Sequence, residues 1–147
     1  MNDTTALTAL ESEFWPPNLT AAIEPPVTIL KKAAAELSVR TNQVLEGRVQ
    51  SSPARIGPGS LPKFFEISFQ VRAPSLSNYT VELFSVQHDS RLYPVTFAGD
   101  AVEEVVEDGD QLQAQSDREL TDRLRVLLAT AHVRKVISGL LAQTKET

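Results

Sequence analysis

His88 and His132 are the only histidines in a chain of 147 residues, and no cysteine accompanies them. General acid–base, nucleophilic and metal chemistry at neutral pH draws first on these two residue types. The reactive inventory is therefore small. His88-Asp89 sets two metal ligands side by side, yet no second histidine stands at helical or strand spacing to complete a tetrahedral set. The His-Glu-x-x-His pattern of zinc proteases is missing. His132 follows Thr130, a candidate helix cap, by two positions, which suits a helix-surface residue. Serine hydrolases need a base and an orienting acid around the nucleophile. No serine here sits in a Gly-x-Ser-x-Gly elbow, and Ser60 and Ser90 read as loop formers.

Carboxylates are abundant between 100 and 110, but a glycosidase pair must flank a sugar at a defined separation, and abundance is not geometry. Asp108-Gly109-Asp110 makes an acidic turn without the ligand spacing or closing glutamate of an EF-hand loop. Gly57-Pro58-Gly59-Ser60 has the look of a glycine-rich phosphate turn, but Leu61-Pro62 breaks the helix that would present its amides. The sequence thus assigns no catalytic, cofactor-binding or metal-ligating residue, and no cofactor is expected.

Charge points to a different kind of partner. Nineteen acids against fourteen bases give a net charge of −5, the wrong sign for neutralising phosphates. The acids are unevenly placed. Asp100, Glu103, Glu104, Glu107, Asp108, Asp110, Asp117, Glu119 and Asp122 face a single base, Arg118, between 98 and 122, so this stretch carries −8 and the remainder +3. A single-signed patch steers a complementary, basic protein. Phe14-Trp15, the largest apolar pair near the N-terminus, either pins its arm onto the domain or enters a partner, since aromatic side chains dominate such contacts.

The elements that would position these groups follow from periodicity. Pro16-Pro17 stops any weak helical turn over 5–13. Pro25-Pro26 opens a helix over 26–39, with Val27, Leu30, Ala34 and Leu37 on one face. Strands are expected at 43–50, 63–72, 78–86 and 91–97. In Lys63–Arg72 the alternation of Phe65, Ile67, Phe69 and Val71 with Glu66, Ser68, Gln70 and Arg72 places Phe65 and Phe69 in a core. That leaves Phe64 alone on the other face, too little for a nucleic-acid stacking platform. The same pattern favours an antiparallel sheet covered on one side.

His88-Asp89-Ser90 reads as a hairpin turn, and Pro94 as the mark of an edge strand or bulge. Residues 101–106 fit either a strand or a short helix, and 111–115 a further short strand. Ser116 with Glu119 forms a capping box before Leu120, Leu124, Leu127 and Leu128. Two helices rather than one are expected after 116, dividing near Ala129–Ala131.

The expectation is an α+β fold: an antiparallel sheet of four to five strands, with an N-terminal helix and one or two C-terminal helices packed mainly on one face. Residues 1–25 form an arm, 26–143 a single domain and 144–147 a tail. No window is apolar enough to span a bilayer, residues 1–15 lack secretory signal features, and a reducing cytoplasm accommodates a cysteine-free chain. The leading functional expectation is a small acidic, non-enzymatic protein-binding factor of the immunity-inhibitor or small-chaperone kind, with a homodimer admitted and neither nucleic acid nor membrane as partner. Its contact residues would be Phe14, Trp15, Asp100, Glu103, Glu104, Glu107, Asp108 and Asp110. The alternative, from another class, is a small-molecule binder or enzyme with a pocket between sheet and helices, where Tyr79, His88 and Tyr93 are the residues of interest.

Overall fold

A computed structural model describes residues 14–17, 19, 23–54, 57–107 and 109–145. Among them, the first helix, α1 (Pro26–Arg40), has a proline at its first position, where no intrahelical N–H is needed. It buries Ile29, Leu30 and Ala34, with Val27 and Leu37 packed at the margin of the core. Its last turn is closed by Thr41, whose hydroxyl donates to the Leu37 carbonyl at 2.9 Å and accepts the Leu45 N–H at 3.2 Å. Asn42 and Gln43, both in the left-handed region, turn the chain into the sheet.

The sheet is a five-stranded antiparallel meander in the order β1 (Glu46–Ala54), β2 (Phe64–Ala73), β3 (Tyr79–His88), β4 (Val95–Ala98), β5 (Leu112–Ala114). A 3₁₀ turn at Pro74–Leu76 joins β2 to β3, and a one-turn helix, α2 (Asp100–Glu103), lies between β4 and β5. Two helices follow, α3 (Asp117–Leu128) and α4 (Ala131–Lys145). The helices pack on one face, so the fold class read from the pattern is the observed one.

Alternation in β2 does what its period of two demands: Ile67, Phe69, Val71 and Ala73 are buried toward the helices, while Glu66, Ser68, Gln70 and Arg72 face the open side. Burying side chains of this size contributes about 2 kcal/mol each. Phe69 stacks on Phe84 with ring centroids 5.1 Å apart. The ladder slips once, between Phe69 and Gln70, so β3 carries an extra residue and Leu83 and Phe84 are both buried in succession.

Glycine is required at one point of this packing. A side-chain carbon on Gly47 would lie 2.6 Å from the Ala34 Cα and 2.7 Å from its carbonyl carbon, because α1 rests its backbone on β1 there. Ser38 reinforces the contact by accepting the Gly47 N–H at 3.1 Å.

Several boundaries differ from expectation. Strand β1 runs to Ala54 rather than ending at 50, since its outer half pairs with β2 through Ala54–Phe64. Residues 101–106 resolve as the short helix α2 and its exit turn. Pro94 precedes β4, which is an interior strand between β3 and β5, so proline marks the entry to the strand rather than a sheet edge. Helix α4 includes Thr144 and Lys145, which the sequence assigns to a tail. The division into two C-terminal helices falls at Ala129–Thr130, as read from the sequence. The weak turn at 5–13 and Asp108 lie outside the described residues.

Candidate functional site

The acidic segment divides into acids that hold the fold and acids that do not. Ser116 accepts the Glu119 N–H at 3.2 Å and so caps the start of α3, while the Glu119 carboxylate reaches one residue beyond the cap and accepts the Gln115 N–H at 2.9 Å, a variant of the expected capping box. Glu119 also lies 3.8 Å from Arg123, and Asp122 pairs with Arg125 at 3.2 Å. Glu104 reaches the start of α4, accepting the N–H groups of Ala131 at 3.0 Å and His132 at 2.7 Å. Those amides lack intrahelical acceptors and sit at the positive end of the helix, so a carboxylate suits both needs. Glu104 is thus occupied by the fold. Asp100, Glu103, Glu107 and Asp110 are exposed and form no ion pair among the described residues.

The arm carries a second exposed feature. Phe14 is 86% and Trp15 69% exposed, with Leu19 and Ile23 also more than half exposed. Where the arm meets the domain it is tied down: the Tyr93 hydroxyl donates to the Glu24 carbonyl at 2.9 Å, and Lys32 pairs with Glu24 at 2.6 Å. Burial pushes the Tyr93 phenol up to about 12, with the Asp117 and Glu24 carboxylates adding to the shift.

Tyr79, His88 and Tyr93 do not converge. Tyr79 and His88 stand at opposite ends of β3, separated by about 30 Å at the usual strand rise. His88 is a buried strand residue rather than part of a turn: its ring stacks on Phe65 with centroids 5.4 Å apart, and Nδ1 lies 2.8 Å from the Asp89 carbonyl. A carbonyl only accepts, so Nδ1 carries the proton there. Phe65, expected in the core, is 37% exposed because it closes the end of the sheet, where His88 covers one side of the ring. Arg91 pairs with Asp89 at 2.6 Å beside this end and holds that carboxyl below its ordinary range.

A cavity of about 180 Å³ does lie between sheet and helices, elsewhere than expected. Leu37, Phe69, Leu83, Leu128, Val133 and Ile137 line it, with Glu36 and Arg40 at its rim. Nothing in the periodicity marks it, since each lining residue reads simply as core. Tyr79 lines a separate cleft of about 360 Å³ against α4, with Lys135 and Gln143. Among the described residues no cluster of three potential metal ligands occurs, and no helix is long and apolar enough to cross a membrane. Comparison with protein-family models, curated proteins and solved structures finds no match.

Proposed function

We propose that this protein is a non-enzymatic binding factor, of the immunity-inhibitor or small-chaperone kind, that engages another protein in a reducing cytoplasm. The observation that carries the reading is the arm: Phe14, Trp15, Leu19 and Ile23 expose four large apolar side chains within ten residues, anchored to the domain at Glu24. Apolar and aromatic groups held this way are the usual energetic centre of a protein contact. Asp100, Glu103, Glu107 and Asp110, exposed and free of the capping duty that Glu104 performs, add the negative field that would steer a basic partner.

The test is affinity capture from native lysate with three forms: wild type, Phe14→Ser/Trp15→Ser, and Asp100→Asn/Glu103→Gln/Glu107→Gln/Asp110→Asn. The expected result is one stoichiometric partner that the first variant loses and the second captures more slowly and with less salt dependence. Equal capture by all three forms removes both surfaces from the proposal.

A second reading rests on the 180 Å³ cavity, whose apolar lining and charged rim suit a small amphiphile. Thermal-shift screening with short-chain acids and amines decides it. A Leu83→Trp variant that fills the cavity would abolish any shift if the cavity is the site.

A further inference from the structure

Strands β1 and β5 are the sheet's two edges, and β1 is much the longer. Successive residues of an edge strand turn their N–H and C=O groups alternately toward the neighbour and away from it. The Ala54 carbonyl accepts the Lys63 N–H at 3.0 Å across the turn into β2, so even-numbered residues of β1 face β2 and odd-numbered ones face outward. At its start this outward edge is closed by α1: Leu45 donates to the Thr41 hydroxyl and Gly47 to that of Ser38. At its far end Pro53 has no N–H to offer. Between these stops, Val49 and Ser51 each present an outward N–H and an outward C=O.

We propose that a second copy of this chain pairs antiparallel with this window about a two-fold axis at Gln50, joining two sheets into one. The window is self-complementary only in that register. Centred on Gln50, Val49 lies opposite the partner's Ser51, and the four outward groups of each edge are all used. Centring on Ser51 leaves the Val49 carbonyl facing the partner's Pro53, which cannot donate. Centring on Val49 leaves the Ser51 carbonyl facing the partner's Gly47, whose N–H is already taken by Ser38. An isologous interface needs this kind of self-match, whereas an arbitrary peptide does not.

Charge fits the same register. Arg48 forms no ion pair among the described residues, because its neighbour Glu46 is held 3.1 Å from Arg72. Pairing about Gln50 sets Arg48 against the partner's Ser52, and Ser52 is itself in register with Glu66 on β2. Arg48 and the partner's Glu66 then stand two strand spacings apart, about 10 Å between backbones and bridgeable over a serine. The two-fold makes two such pairs.

Apolar surface agrees as well. Val39 and Val44, exposed to 67% and 39%, flank the start of β1, and Leu61, exposed to 79%, follows its end. Antiparallel pairing brings one copy's start to the other's end. This proposal does not depend on the arm or the acidic segment.

Sedimentation equilibrium of the full chain up to about 100 µM tests it by mass action. Wild type is expected to be a dimer. Ser51→Pro removes one outward N–H while sparing every bond to β2, so it should give a folded monomer by circular dichroism. Arg48→Glu and Glu66→Arg should each weaken the dimer about tenfold or more, and the combined variant should recover it. A monomeric wild type overturns the proposal. So does a dimer that survives Ser51→Pro, or one lost only with Phe14→Ser/Trp15→Ser, which would give the interface to the arm.

Discussion

The two flanks of the sheet are held in different ways. On the β1 side a nine-residue strand and a fifteen-residue helix touch backbone to backbone at Gly47 and Ala34, and the loose groups at the join are satisfied by Ser38 and Thr41, close in sequence. On the β4–β5 side the strands are four and three residues long, too short to hold themselves. There the structure is stitched by side chains crossing between elements: Glu104 to the start of α4, Gln113 to Thr96 at 3.2 Å, and Arg123 to the Gln113 carbonyl at 3.2 Å. A long strand lets a helix approach to contact. A short one leaves room that polar groups must bridge.

This contrast can be broken most severely at Gly47. Gly47→Val forces β1 away from Ala34 and should cost about 3 kcal/mol or more, lowering the melting temperature by roughly 10 °C. On the other flank Glu104→Ala leaves two N–H groups at the head of α4 without their acceptor, and should cost about 1–2 kcal/mol in denaturant titration. Glu104→Gln, which keeps an acceptor and loses the charge, should fall between. Ser116→Ala removes a local cap and should cost about 1 kcal/mol.

Tyr93 supplies a smaller effect with a defined direction. Its phenol ionises near 12 in the fold against 10 for an ordinary tyrosine. The folded state therefore keeps its proton longer, and the stabilisation is complete below pH 10 and lost as pH rises through 12. Subtracting the stability profile of Tyr93→Phe from that of wild type should isolate this alkaline loss. Least of all, Glu103→Gln and Glu107→Gln should change stability by no more than about 0.5 kcal/mol, and a larger effect would mean that these acids belong to the fold after all.

Features set by short-range pattern were legible in the sequence. The alternation of Ile67, Phe69 and Val71, the proline entry to α1 and the Ser116 cap on the Glu119 N–H each need only neighbouring residues. What stayed hidden depends on contacts far along the chain. Glu104 caps a helix that begins 27 residues later, and it reads as one more surface acid. His88 reads as a turn because Asp89 and Ser90 follow it, yet pairing with Phe65 extends β3 far enough to bury it. Phe14 and Trp15 lie exposed, whereas Tyr79 and His88, grouped by residue type, stand at opposite ends of β3.

The slip in β3 gives the molecule something like a phase change halfway along a wave. Val81 and Tyr79 pair with Val71 and Ala73 on one side of Leu83, while Phe84, Val86 and His88 take the inward positions on the other, so the parity of inward residues reverses there. Deleting Leu83 would join Glu82 to Phe84 and let the alternation run unbroken, with Thr80 and Glu82 still outward and Phe84 and Val86 still inward, at the cost of one buried side chain. The extra residue therefore adds a second inward side chain at mid-strand without deciding which way either end of the hairpin faces.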